Sequence, residues 1–158
     1  FMLTQIYTYF TIETIYLWLN FGVIPIWLVL IFFPNSKLNK IFLTSIFLPL
    51  IFGLIYVYIF YQLMLLNEDI LDYLNIYSGL DELADLFTNE LFLLIFWIHF
   101  LAINLFLGSW VSRDALKYNM PKIFSAISLI LIYFTGPIGL IVYWILRIFF
   151  AKKISLYD

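Results

Sequence analysis

Four long apolar runs, separated by short polar stretches, organise this chain. They cover residues 14–33, 41–66, 91–111 and 123–148, and the first three contain no charged residue. A bilayer core of about 30 Å takes about 20 helical residues. Each run therefore predicts a transmembrane helix. Pro34-Asn35-Ser36-Lys37 is turn and breaker chemistry and ends the first. Pro25 and Pro49 lie inside the first and second, where a proline frees a carbonyl and bends a helix. The fourth run carries Gly136-Pro137-Ile138-Gly139 at its centre, so it is not expected to be a uniform helix.

Between the second and third runs the pattern changes. Glu68, Asp69, Asp72, Asp81, Glu82, Asp85 and Glu90 supply seven of the ten acids, with no Lys or Arg among them. Leu80, Leu83, Ala84 and Phe87 recur at i, i+3, i+4 and i+7, an amphipathic stripe beginning near Ser78 or Asp81. An interfacial helix with a solvated acidic face fits. The expected fold is all-α: one polytopic membrane domain over residues 1–158, with four transmembrane helices and this short amphipathic helix.

Composition agrees with the pattern. Hydrophobic residues make up 65% of the 158 and charged residues 11%, too few to coat a water-facing surface. A net charge of -2 argues against nucleic acid as a partner. With no cysteine, disulfides, thiolate metal centres and thiol catalysis are excluded. Aromatics reach 22% and crowd the predicted span ends, as interfacial belts do. The basic residues of the first and third loops are Lys37, Lys40, Arg113, Lys117 and Lys122. Their bias places both loops on the cytoplasmic or stromal side and both termini opposite, although Arg147, Lys152 and Lys153 near the C-terminus work against this.

Polar side chains at membrane depth are costly and default to functional candidates. His99 is the single histidine. It sits about eight residues, or about 12 Å, into the third span. Three roles fit it: a proton donor or acceptor on a lipid-soluble substrate, an axial ligand to haem or chlorophyll magnesium, or an interhelical hydrogen-bond partner. Asn20, Trp97, Asn104, Trp110 and Arg113 join it as candidate ligand-binding residues. Asn104 and Gly108 share a helix face, and the glycine permits close helix approach. Arg113 and Asp114 suit either an interfacial anchor or a headgroup clamp. No phosphate loop, nucleophile elbow or His/Glu metal cluster occurs, and one histidine cannot build a multi-histidine iron site.

Several elements together carry a resemblance. They are Pro25-Ile26-Trp27, Phe33-Pro34-Asn35, Leu54-Ile55-Tyr56-Val57-Tyr58, and the run from Gly79 through Asp81, Glu82 and Asp85 to Phe87. After these come Trp97-Ile98-His99-Phe100-Leu101-Ala102, Leu105-Phe106-Leu107-Gly108-Ser109-Trp110 and Gly136-Pro137-Ile138-Gly139. In order and spacing, over about residues 15 to 147, the chain resembles the abscisic-acid-deficient-type, neoxanthin-synthase-like membrane proteins. The resemblance implies a four-helix membrane fold and, for plant members, isomerisation of an epoxy-carotenoid to an allenic one. That reaction needs an acid at the epoxide oxygen and a base at a carbon-bound proton. His99, in the Trp-Ile-His element, is its best candidate for either role.

Two positions depart from the family pattern. Asn104 stands where Asp is common, and Ser109 where Arg is common. An amide hydrogen-bonds but does not exchange a proton near neutral pH. Two functions therefore stand: a carotenoid isomerase, or a non-catalytic pigment- or lipid-binding subunit of a larger photosynthetic or respiratory complex. Bound carotenoid or chlorophyll, membrane lipids and other integral subunits are the expected ligands and partners. A thylakoid, plastid or bacterial inner membrane is the expected location.

Overall fold

The computed structural model describes residues 10–43, 47–66, 74 and 76–152. Six α-helices account for most of them, with no strand among the described residues. They are α1 (Ile12–Phe32), α2 (Phe47–Leu66), α3 (Leu80–Leu86), α4 (Glu90–Lys117), α5 (Lys122–Thr135) and α6 (Pro137–Ala151). A π-helical turn, Asn39–Leu43, follows the first connection. Three helices, α1, α2 and α4, are long and apolar enough to cross a membrane.

That is one fewer than the four expected. The run at 123–148 is two shorter helices, because Gly136 adopts φ +58° and ends α5. Few L side chains occupy that region. Pro137 then opens α6, at a position where its missing N–H removes no intrahelical bond. At 1.5 Å per residue each arm is about 21–23 Å long, short of the bilayer core. The arms fold back on each other: the Phe124 and Phe150 rings lie 5.5 Å apart. A Cβ on Gly139 would collide with the Ile132 backbone nitrogen, so the arms meet backbone to backbone near the bend.

The end of α6 returns to the start of α5, and so joins the Lys117–Lys122 connection rather than lying opposite it.

Other boundaries shift as well. Pro49 lies near the first described residue of α2, and residues 44–46 before it are outside the described residues. The polar stretch after Val111 is not a loop: α4 continues to Lys117 and ends where Asn119 turns to φ +50°. α3 forms as the apolar period suggests, but Gly79 precedes it without a side-chain cap, and none of its residues is buried. Leu80 is 79% exposed. Glu68, Asp69 and Asp72 lie outside the described residues.

The fold divides into two compact units, one drawn from Phe1–Gly22 and Ile51–Leu101, the other from Val23–Leu50 and Ala102–Asp158. All eight basic residues fall in the second unit, and eight of the ten acids in the first.

In the second unit the first connection is tied to α4. Asn39, fully buried, donates from Nδ2 to Pro34 O at 2.6 Å and to Ser112 Oγ at 3.1 Å. Ser109 Oγ donates to Leu43 O at 2.6 Å. Gly108 lets α1 come close: a Cβ there would lie 2.6 Å from the Trp27 ring.

Candidate functional site

The most developed polar site lies where α6 meets α4. Arg147, on α6, is 1% exposed, and its Nε donates to Asp114 Oδ2 at 2.6 Å. Tyr143, one turn earlier and fully buried, donates its hydroxyl to the same oxygen at 2.6 Å. Arg147 Nη2 reaches Asp114 Oδ1 and the Tyr118 hydroxyl, each at 3.4 Å. The guanidinium lies 4.9 Å from the Tyr118 ring centre and 5.3 Å from that of Trp144. Aromatic faces attract such a cation and replace part of its lost hydration.

Helix periodicity builds this cluster. Tyr143 and Arg147 are i, i+4 on α6; Asp114 lies in the last turn of α4, and Tyr118, four residues on, follows that helix with its N–H bonded back to Asp114 O at 3.1 Å. Each pair shares a face, and the hairpin brings the two faces together. Asp114 accepts from both partners, so the carboxylate is occupied and its charge is offset by Arg147. The cluster therefore acts as a clamp between helices rather than as a free acid or base.

The clamp sets the wall of an apolar groove. Trp110 meets the Tyr143 ring edge-on at 5.6 Å and lies nearly parallel to Trp144, 20° apart in plane with centres 6.3 Å apart. The two indoles, with Phe106, Leu107, Leu140 and Ile141, line a groove of about 550 Å³ between α4 and α6. No polar side chain lines it. Such a groove can take a flat or rod-shaped apolar molecule and stack it against the indoles.

Towards the hairpin bend, Asn104 is 5% exposed and faces Gly136. Its Nδ2 has no hydrogen-bond partner. Ser109, the second departure from the family pattern, spends its hydroxyl on the Leu43 carbonyl.

The remaining sequence candidates separate. Trp97 Nε1 donates to Asn20 Oδ1 at 3.2 Å, and Asn20 Nδ2 donates to Tyr16 O at 2.7 Å. Trp97 and Tyr16 line a second groove of about 510 Å³ with Glu13 and Glu90 at its edge. That pairing lies in the first unit. His99, in the same unit, is exposed on the flank of α4, its ring 6.4 Å from that of Tyr56. Arg113 is exposed beside Asp114 and not in the clamp. The structure thus brings Asn20 to Trp97 and sets Trp110 against Tyr143. Among the described residues no cluster of His, Cys, Asp or Glu could hold a metal ion.

Sequence reasoning missed Tyr143 and Tyr118 and gave Arg147 no partner. The signal was present in the two i, i+4 pairs. It was hidden because nothing in hydropathy shows that the fourth run folds back.

A family model described as ABA DEFICIENT 4-like matches residues 14–143. No curated protein and no solved structure matches the chain.

Proposed function

The chain belongs to the ABA DEFICIENT 4-like family, and from that premise we propose that it is a multi-pass membrane protein that binds a carotenoid in the Trp110–Trp144 groove. The observation that carries this reading is the indole pair itself: nearly parallel, 6.3 Å apart, and set in a groove without polar lining. A polyene is long, flat and apolar, and it gains both buried area and aromatic stacking there. The clamp beneath holds the indoles in place before any ligand arrives, which lowers the ordering cost of binding.

Binding without conversion is the form that the geometry supports best. Epoxide opening needs a proton donor and a carbon base at the substrate. Asp114 is already engaged by Tyr143 and Arg147. His99, the residue proposed as acid or base from the resemblance, does not line the groove. The membrane in question is one that carries carotenoid: thylakoid, plastid or bacterial inner membrane.

The test is reconstitution into nanodiscs with a carotenoid. An induced visible circular dichroism band, saturating near one pigment per chain, is expected. Trp110→Ala and Trp144→Ala should each weaken binding about tenfold, from lost stacking and area. No induced band, or full binding by the double variant, would remove the reading. Turnover of an epoxy-carotenoid by the wild-type protein would favour the isomerase instead.

A further inference from the structure

The first turns of α1 and α4 carry two carboxylates that the fold does not use. Glu13 is the second residue of α1 and Glu90 opens α4, and both are exposed. Other residues cap these helices. Thr14 N–H donates to Thr11 Oγ1 at 3.2 Å, and the N–H groups of Leu91 and Phe92 donate to Asn89 Oδ1 at 3.0 and 3.2 Å. Among the described residues neither glutamate has a hydrogen-bond or ion-pair partner. The first compact unit supplies no counter-charge of this kind, since it holds eight acids and no Lys or Arg.

Both carboxylates stand at the edge of the groove of about 510 Å³, which lies wholly within this unit. Its lining changes character along the helices. Glu90, Leu93, Leu94 and Trp97 are i, i+3, i+4 and i+7, one face of α4. The groove therefore runs from acid to indole over about 10 Å. On α1, Tyr16 lies nearly one turn beyond Glu13. The ring centres of Tyr16 and Trp97 are 6.1 Å apart and their planes meet at 44°, which makes two adjoining aromatic walls. Trp97 spends its Nε1–H on Asn20 Oδ1, so the indole offers the groove its π surface rather than a donor.

The geometry points to a binding site for a cationic amphiphile: an ammonium group on an apolar chain, drawn from the bilayer. The head sits between Glu13 and Glu90 and against the Tyr16 ring, and the chain lies on Leu93, Leu94 and Trp97. Carboxylates and aromatic faces both attract such a head. The chain gains by leaving water for an apolar and aromatic wall. A metal ion fits poorly, because two carboxylates are too few and no third His, Cys, Asp or Glu joins them among the described residues. An anionic amphiphile is repelled by both acids and by the net negative charge of the unit. An uncharged one leaves two like charges facing one groove with nothing to offset them. This groove shares no lining residue with the Trp110–Trp144 groove, so the site stands whether or not a carotenoid binds there.

The experiment uses the whole chain in nanodiscs and counts bound probes by native mass spectrometry. The probes are a long-chain alkyltrimethylammonium and the alcohol of the same chain length. The ammonium should bind about tenfold more tightly than the alcohol to the wild-type protein. Glu13→Gln and Glu90→Gln should each weaken the ammonium about threefold to fivefold. In the double variant the preference should fall to near one, while alcohol binding stays within about twofold. Both positions are exposed and glutamine keeps the shape, so the variants keep their fold, which helical circular dichroism verifies. Trp97→Phe keeps an aromatic wall and should retain the preference for the ammonium. Equal binding of the two probes by the wild-type protein overturns the inference. So does a preference that survives in the double variant, since the cation is then held elsewhere.

Discussion

Phe124, in the first turn of α5, and Phe150, next to the last residue of α6, hold their rings 5.5 Å apart. The two arms of the hairpin therefore begin and end at one level. In a bilayer, the start of α5 and the end of α6 emerge on the same side. Lys122 and Lys152 lie at that end of the hairpin with them.

This gives a topology prediction, and the cysteine-free sequence makes it clean to test. Single cysteines at Lys37, Lys122 and Lys152 should all react with a membrane-impermeant maleimide added from the same side. A label at position 152 that appears only from the side opposite to 122 would show that the fourth run crosses the membrane after all.

The clamp should behave as a buried ion pair. Removing one partner leaves the other charged, desolvated and unpaired, which costs about 3–5 kcal/mol. Asp114→Ala should lower the thermal midpoint in detergent strongly. The double variant Asp114→Leu/Arg147→Leu should lose less than the two single losses added together. Tyr143→Phe removes one hydrogen bond to a charged group and should cost about 1.5–3 kcal/mol. Additive losses in the double variant would mean that the pair is not coupled.

The glycines should rank by the room around them. At Gly139 an added methyl meets the Ile132 backbone, which cannot rotate away. At Gly136 it meets the Asn104 side chain, and φ is +58°. At Gly53, within α2, nothing lies within 4 Å. Alanine should accordingly be most damaging at 139, intermediate at 136, and neutral or stabilising by up to about 1 kcal/mol at 53. Midpoints that do not follow this order would contradict the backbone contact at the bend.

His99→Ala should leave carotenoid affinity within about twofold, because His99 does not line the groove. The induced visible band measures this directly. A loss comparable to that of Trp110→Ala would move the pigment site to His99.

Much of the helical pattern can be read from the residues. The charge-free run at 14–33 became α1, shifted by one or two residues, because nothing within it competes with a helix. Pro121, a residue suited to the start of a helix, immediately precedes α5. The polar tail of α4 misled because Arg113, Asp114 and Lys117 look like loop residues when hydropathy alone is read. Ser112 and Ala115, at i and i+3 among them, are buried, and that face explains why the helix continues. His99 shows a different limit. Hydropathy gives depth along a helix but not rotation about its axis, and rotation decides whether an imidazole faces a groove or the helix flank. Trp110 was legible as a candidate, but its partner Trp144 was not, since their pairing depends on the fold-back at Gly136.

The short arms of the hairpin also constrain the order of assembly. Neither α5 nor α6 is long enough to settle across a bilayer alone, and α6 carries Arg147 within its apolar stretch. A lone arginine in lipid lacks a counter-charge until Asp114 is present. Asp114 belongs to α4, which is synthesised earlier. The last stretch of the chain therefore inserts as a pair against a helix that is already in place. A ribosome-bound chain halted before Tyr143 would expose an unclosed groove and an unpaired carboxylate, a natural point for quality control to act.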